Sequence, residues 1–494
     1  MQELLTDHIW NLEKLQQLFA ESMKTQRWSR ANAVFKALIA RHPENLQLCS
    51  LYVALCLEQG LDEEAIRLVE KMVASGIPDN DLIKAALAIR KRMHPRELIN
   101  KSAPEISLCM IVRNEIKNIG RCLYHCKSLV DEIILVDTGS TDRTKDVGCI
   151  YGANVYDYSW HGDFSAARNH SLEKASGRWI LILDADEVIA EDDFAKMQGF
   201  IKEAEKRVAA FSMETRNYCH RTNNIGWHAN DGFYKRYEAG LGWFPSIKVR
   251  LFKRDPLIRF HFPVHERVEP SLRKQGLEIA YCPIPVHHYG HLDERLNLEK
   301  ARRYYEMGYA KLAQMEGDVQ AIRELAVQAG QLQKWSEAIS LWQRLIELKP
   351  DYPEGYINLA SGYWQLGNYD RALHYSKKAI EIEPNHKEAT FNAAISFMML
   401  RQLDQASQYL QNLLSMHPEY LGARFMLAAV FNMQEEDKKS RHELNILLKS
   451  TEDRVLELAI DDLLQRCKRS QLYDFAIAVG KMKDWCDGSS TGKP

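Results

Sequence analysis

Four short apolar runs set the texture of the chain between about residues 104 and 292: "ISLCMIV" (106–112), "EIILVD" (132–137), "NVYDY" (154–158) and "WILILD" (179–184). Each is brief and rich in β-branched or aromatic residues, which predicts strands. Between the first two lies "NEIKNIGRCLYHCKSLV", apolar at helical spacing, and after the second comes "TGSTDRTKDVGCIYG", a polar turn leading into a short helix. Strand, helix, strand, helix predicts parallel βαβ units, with strands apolar throughout because helices cover both sheet faces. In such sheets ligands bind beyond the carboxyl ends of the strands. Three polar motifs fall there: Arg113-Asn114-Glu115, Asp137 with "TGSTD", and Asp184-Ala185-Asp186.

A different period governs the rest of the chain. Pro350, Pro384 and Pro418 recur every 34 residues, as do Ala338, Ala372 and Ala406, and Ala326, Ala360, Ala394 and Ala428. Each unit reads as helix, turn, helix and a closing proline, with the small alanines where paired helices approach closely. This resembles the tetratricopeptide repeat. The resemblance is clear over 319–420 and weaker over 421–454, where Ser440 replaces the later alanine. "WSRANAVFKALIARHP" (28–43) aligns with "WSEAISLWQRLIELKP" (335–350), and Ala65 follows Ala31 by 34, so residues 12–79 are expected to form two diverged repeats. The expected layout is an N-terminal helical domain (1–100), an α/β domain (104–292), a linking helix (293–318), C-terminal repeats (319–485) and a flexible tail (486–494). Stacked repeats form a groove suited to extended peptides or partner proteins, and serve equally as a scaffold or a self-association surface.

Composition narrows the class. The 494 residues call for more than one core, and 46% hydrophobic and 27% charged residues are ordinary globular usage. A net charge of −2 supplies no basic excess for nucleic acid or an anionic membrane. No apolar run approaches a membrane span, and the start, "MQELLTDHIWNLEKLQQLF", has no signal-peptide core, so a cytoplasmic protein is expected. "CLYHC" (Cys122–Cys126, with His125) has a spacing that suits one helix face and no second Cys/His cluster near it, so reduced structural thiols are expected.

The strand-end motifs invite specific chemistry. Hard divalent cations take carboxylate and phosphate oxygens together, so one carboxylate of "DAD" plus a diphosphate forms a natural coordination set. Asp137 is placed to accept hydrogen bonds from a nucleobase N–H or ribose hydroxyls, while Ser140, Thr141 and Asp142 read as turn and helix-cap residues. Arg168 in "DFSAARN" suits either a bidentate phosphate contact or a neighbouring carboxylate.

Taken in order, "SLCMIVRNEIKNIGRCL", "DEIILVDTGSTDRT", "DFSAARN" and "GRWILILDADEVI" resemble successive motifs of the family-2 glycosyltransferases, over roughly 105–190. The resemblance implies a GT-A fold (Rossmann-like, mostly parallel sheet), a nucleotide-sugar donor, usually UDP-linked, a Mn²⁺ or Mg²⁺ ion on the D-x-D motif, and inversion at the anomeric carbon. Carried over, Asp137 would contact the nucleoside, Asp186 would be the main metal ligand, and Asp184 would hold the donor sugar or ribose. Arg168 would support the nucleotide pocket, and Arg113, Asn114 and Glu115 would line the base. "VHE" and "HHYG" resemble later motifs of the same subgroup, making Glu266 the expected general base and His288 a further metal or diphosphate contact. Asp231 and His265 are the rivals for the base. Two departures stand out: Asp137 is followed by Thr138 where a second carboxylate is usual, and the Q-x-x-R-W signature and membrane helices of processive synthases are absent.

The expectation is therefore an enzyme that moves a single sugar. A soluble family-2 domain joined to such repeats resembles the peptide S- and O-glycosyltransferases of bacteria, which implies a peptide or protein acceptor. The alternatives are a glycan or lipopolysaccharide acceptor in envelope assembly, or an inactive repeat scaffold.

Overall fold

The computed structural model describes residues 12–76, 78, 80–93, 105–204, 208–220, 227–263, 266–314, 317–418, 420–450, 460, 464 and 473–490. The first eleven residues, His265 and the last four residues of the expected tail lie outside it. The chain divides into two compact units, one of residues 1–217 with 245–290, the other of 218–244 with 291–494.

The first unit is built on a mixed sheet. Its strands are β1 (Ile106–Val112), β2 (Glu132–Asp137), β3 (Asn154–Asp157), β4 (Trp179–Ile182), β5 (Glu187–Ile189), β6 (Val208–Cys219), β8 (Gly242–Lys253) and β9 (Glu278–His288); β7 (His228–Ala229), which pairs the first residues of β8, falls in the second unit. The order is β3-β2-β1-β4-β8-β6-β9-β5. The first four strands are parallel, with Val112 opposite Asp137 and Cys109 opposite Ile182, so the ends of β1, β2 and β4 emerge on one edge. Strand β8 runs antiparallel to β4, and β9 runs parallel to β6 and antiparallel to β5.

Both faces of β1, β2 and β4 are buried, as their apolar runs predict, whereas the edge strand β3 is partly exposed. Leu108, Met110, Leu135 and Leu181 enter one hydrophobic cluster, while Cys109, Ile134, Val136, Ile180 and Ile182 enter another. The first cluster continues without a break into the N-terminal helices, through Leu15, Phe35, Leu55, Val69 and Ile83. Helices Asp62–Ala74 and Ile119–Cys126 approach so closely that a Cβ on Gly120 would stand 2.8 Å from the Val73 carbonyl oxygen. Buried Glu70 ties this seam, pairing with Arg90 and Lys127, and Tyr151 donates to its carbonyl at 2.6 Å.

In the second unit the long helix Glu294–Gln314 leads into paired helices from Val319 to Ser450. Every alanine of the two 34-residue columns is buried, and Ser440 is buried in the same role, its hydroxyl donating to the Ala428 carbonyl at 2.7 Å. A fourth column emerges in the turns: Gln333, Gly367, Arg401 and Glu435 all have positive φ, between 59° and 73°. Gln26 and Gly60 repeat it in the N-terminal helices. Helix Tyr473–Ser490 follows, and no helix among the described residues is long and apolar enough to cross a membrane.

Candidate active site

The loops after β1 and β2 are stitched together. Asn114, held at φ 58°, donates its amide to Ser140 Oγ at 2.9 Å, and its Oδ1 accepts from Thr141 N at 2.7 Å. The Glu115 amide donates to Thr144 Oγ1 at 2.8 Å, while its carboxylate accepts from Asn118. Asp142 accepts from Thr144 N at 2.9 Å, at the start of the following helix. Arg113 beside them is exposed. Asp137, the last residue of β2, is 1% exposed; its Oδ1 accepts from the amides of Gly139 and Ser140 at 3.0 and 2.8 Å. Its Oδ2 is buried with no hydrogen-bond partner among the described residues. A buried acceptor left open is costly, which suits an oxygen that a ligand N–H or hydroxyl completes.

Arg168, on helix Phe164–Lys174, is 5% exposed and joins two carboxylates. Its Nη2 donates to Asp184 at 2.5 Å and its Nε to Glu266 at 3.1 Å, while Nη1 is buried without a partner. Burial opposes the charge of Arg168, but Asp184 and then Glu266 outweigh it, and the guanidinium holds its proton more firmly than usual. Burial likewise opposes ionisation of Asp184, yet Arg168, Arg250 and Lys248 hold its carboxyl well below the usual carboxylate range. Asp184 is therefore a fixed anion.

Asp186 points elsewhere. Its Oδ2 lies 3.4 Å from His288 Nε2, and the Tyr289 amide donates to its carbonyl at 3.0 Å. The sheet explains the meeting, because β9 sets His288 opposite Glu187 of β5 and Asn217 of β6. Asn217 Oδ1 is 2.7 Å from His288 Nδ1, and its amide nitrogen donates to the Thr215 carbonyl and Ser246 Oγ. A carbonyl partner fixes which end of Asn217 is the nitrogen, so His288 Nδ1 is the donor to Oδ1. In the neutral ring Nε2 then carries a lone pair facing the Asp186 carboxylate. Two acceptors face each other, an arrangement that calls for a proton or a metal ion between them. Burial disfavours the imidazolium, but the Asp186 carboxylate outweighs it and raises the His288 pKa. Gly290 leaves the space open: a Cβ there would meet Asp186 Oδ2 at 2.5 Å and His288 Nε2 at 2.6 Å.

Residues 107–260 match the family model Glycosyl transferase family 2, and residues 331–367 and 363–413 match models of the tetratricopeptide repeat. The chain carries a family 2 glycosyl transferase domain. It is 34% identical over 245 residues to a TPR repeat-containing protein of Synechococcus elongatus, covering 47% of this chain and 55% of that one. It is 30% identical over 203 residues to the SPbeta prophage-derived glycosyltransferase SunS of Bacillus subtilis, covering 40% and 43%. An uncharacterized glycosyltransferase of Rickettsia felis is 34% identical over 88 residues, covering 18% and 31%. The chain thus spans about half the length of the first two relatives.

Within this glycosyl transferase domain, several supporting residues carry no motif that sequence reading could use. Buried Glu187 accepts from the Asp184 amide at 2.9 Å and pairs with Arg250, so it fixes the backbone of the D-x-D turn. Its position directly after "DAD" is the one signal available. Asn217 has none. Among the rivals for the base, Asp231 belongs to the second unit, is exposed, and shares a hydrogen bond with Glu238, while His265 lies outside the described residues. Cys122 and Cys126 are buried free thiols, and Cys122 Sγ packs 3.6 Å from the Asp184 carbonyl. Among the described residues no group of three His, Cys, Asp or Glu side chains is gathered closely enough to form a metal cluster.

Proposed function

We propose that this chain is an inverting, metal-dependent glycosyltransferase that moves one sugar from a nucleotide-sugar donor, UDP-linked, to a peptide or protein side chain. The observation that carries the reading is the Asp186–His288 pair, two lone-pair donors held face to face at 3.4 Å beside a glycine that keeps the space clear. Asp186 and His288 would hold Mn²⁺ or Mg²⁺, which when bound offsets charge on the leaving diphosphate. The open Oδ2 of Asp137 accepts from the nucleoside, with Arg113, Asn114 and Glu115 forming the loop beside it. Asp184, fixed by Arg168 and Glu187, takes the hydroxyls of the donor sugar or ribose. Glu266 is the base: it accepts the acceptor's O–H or S–H proton as that atom bonds to the anomeric carbon. The bond from that carbon to the β-phosphate oxygen breaks, and its electron pair stays on the diphosphate. The repeats supply a surface for an extended acceptor.

The test is incubation of the full chain with Mn²⁺, candidate UDP-sugars, and peptide, glycan and lysate acceptors, followed by mass spectrometry. The expected product is one added hexose or N-acetylhexosamine per modified side chain. Asp186→Ala abolishes metal-dependent nucleotide binding, and Glu266→Gln retains binding but loses about 10²–10⁴-fold in turnover. Sugar found only on glycans or lipid-linked acceptors would overturn the peptide assignment, and an Asp186→Ala protein with full activity would overturn the metal assignment.

A further inference from the structure

Strand β8 carries a lysine at the rim of this site that belongs to none of the motifs. Thr215 and Asn217 lie two residues apart on β6; Thr215 Oγ1 accepts from Arg250 at 3.4 Å and Asn217 Nδ2 donates to Ser246 Oγ at 3.1 Å, which puts Ser246 and Arg250 on one face of β8. Side chains alternate along a strand, so Lys248 between them shares that face. Both flanking residues lead into the site. Ser246 supports Asn217, which orients His288, and Arg250 pairs with Glu187, which holds the Asp184 amide. Arg250 is buried, whereas Lys248 is exposed.

The charges around the site leave a role open. Asp137, Asp184, Asp186, Glu187 and Glu266 converge on one edge of the sheet, and a nucleotide diphosphate adds further negative charge. Two of the arginines there are already engaged, Arg168 with Asp184 and Glu266, and Arg250 with Glu187, and Arg113 lies on the nucleoside side beside Asp137. Lys248 has no hydrogen-bonded or ion-paired carboxylate among the described residues.

We propose that Lys248 is a donor-binding residue whose ammonium contacts the diphosphate of the nucleotide-sugar and offsets the charge left on it when the sugar departs. This rests on the glycosyl-transfer reading above. A compact ammonium on a flexible stem suits this task, because it can follow the phosphate as the bond to the anomeric carbon lengthens. The balance of the step is unchanged: the electron pair of the broken bond stays on the β-phosphate oxygen, the proton passes from acceptor to Glu266, and Lys248 keeps its own.

The experiment is calorimetric titration of the full chain with uridine diphosphate and Mn²⁺, repeated with inorganic pyrophosphate and with uridine monophosphate. Lys248→Ala is expected to bind uridine diphosphate and pyrophosphate roughly 10- to 100-fold more weakly, the scale of one charge-assisted contact, and the monophosphate far less so. Lys248→Arg is expected to restore most of the loss, and both variants should melt with wild type because the side chain is exposed. In donor hydrolysis Lys248→Ala should lower kcat as well as raise KM. Wild-type binding that Lys248→Ala leaves unchanged would overturn the lysine assignment alone. A wild-type chain that binds no uridine, guanosine, thymidine or adenosine diphosphate with Mn²⁺ would remove the glycosyl-transfer reading, and this proposal with it.

Discussion

Asn217 stands 71 residues from His288 in the chain and decides which ring nitrogen faces Asp186. Removing that acceptor frees the ring to turn or to change tautomer, and such outer partners typically account for 10- to 100-fold in metal affinity. Asn217→Leu is therefore expected to weaken Mn²⁺ binding, measured by calorimetry without donor or acceptor, by about that factor. Asn217→Asp keeps an oxygen opposite Nδ1 and should retain most of the affinity. A purely packing role would predict the reverse order, since leucine suits a buried position better than a charged carboxylate. Asp137, Asp184 and Asp186 were legible in the sequence because each follows an apolar run that ends at the sheet edge. Asn217, Glu187 and Lys248 were not, because their relevance comes from the register of β5, β6, β8 and β9, and no local pattern encodes register between distant strands.

At the scale of elements, the parallel strands announced themselves and the antiparallel ones did not. "EIAYCPIPVHH" holds Pro283 and Pro285, which argue against a strand, yet it forms β9. "GWFPSIKVRLFK" carries Pro245 and three basic residues on β8, a strand whose middle residues Ile247 and Lys248 are exposed while Val249–Phe252 are buried. The repeats show the same division. Alanine and proline columns were visible as identities, but the left-handed turn column was hidden because Gln333, Gly367, Arg401 and Glu435 share a conformation and no chemistry. That column yields a prediction. A non-glycine residue with positive φ costs about 1–2 kcal/mol, partly offset by the greater freedom of glycine in the unfolded chain. Arg401→Gly and Glu435→Gly should each stabilise the repeats by about 0.5–1 kcal/mol, and Gly367→Ala should destabilise them by about 1 kcal/mol. Urea denaturation followed by helical circular dichroism checks all three, and a destabilised Arg401→Gly would refute the account.

For the molecule as a whole, the 34-residue rhythm at both ends suggests two similar appendages, but the N-terminal helices share a core with the sheet. Leu15, Phe35 and Val69 belong to the same cluster as Leu108 and Leu135, and Glu70 joins Arg90 of the helices to Lys127 of the sheet domain. A repeat pair bound only by its own contacts would open alone, whereas one that covers a sheet-side helix must open with it. Native-state hydrogen exchange is thus expected to show amides of Asp62–Ala74 and of β1 and β2 exchanging through one common opening. Glu70→Ala, which strips a buried carboxylate from two cations, should lower the protection of both sets equally, by roughly 1–3 kcal/mol given that Arg90 and Lys127 are partly solvated. Deleting residues 1–92 should leave the face of Ile119–Cys126 bare and yield an aggregating protein without nucleotide binding. Protection of β1 that survived the loss of protection in Asp62–Ala74 would show the N-terminal helices to be a separate module. The single continuous core predicts that the two are lost together, so the integrity of the Asp137 and Asp186 sites depends on helices that the repeat pattern alone would assign to partner binding.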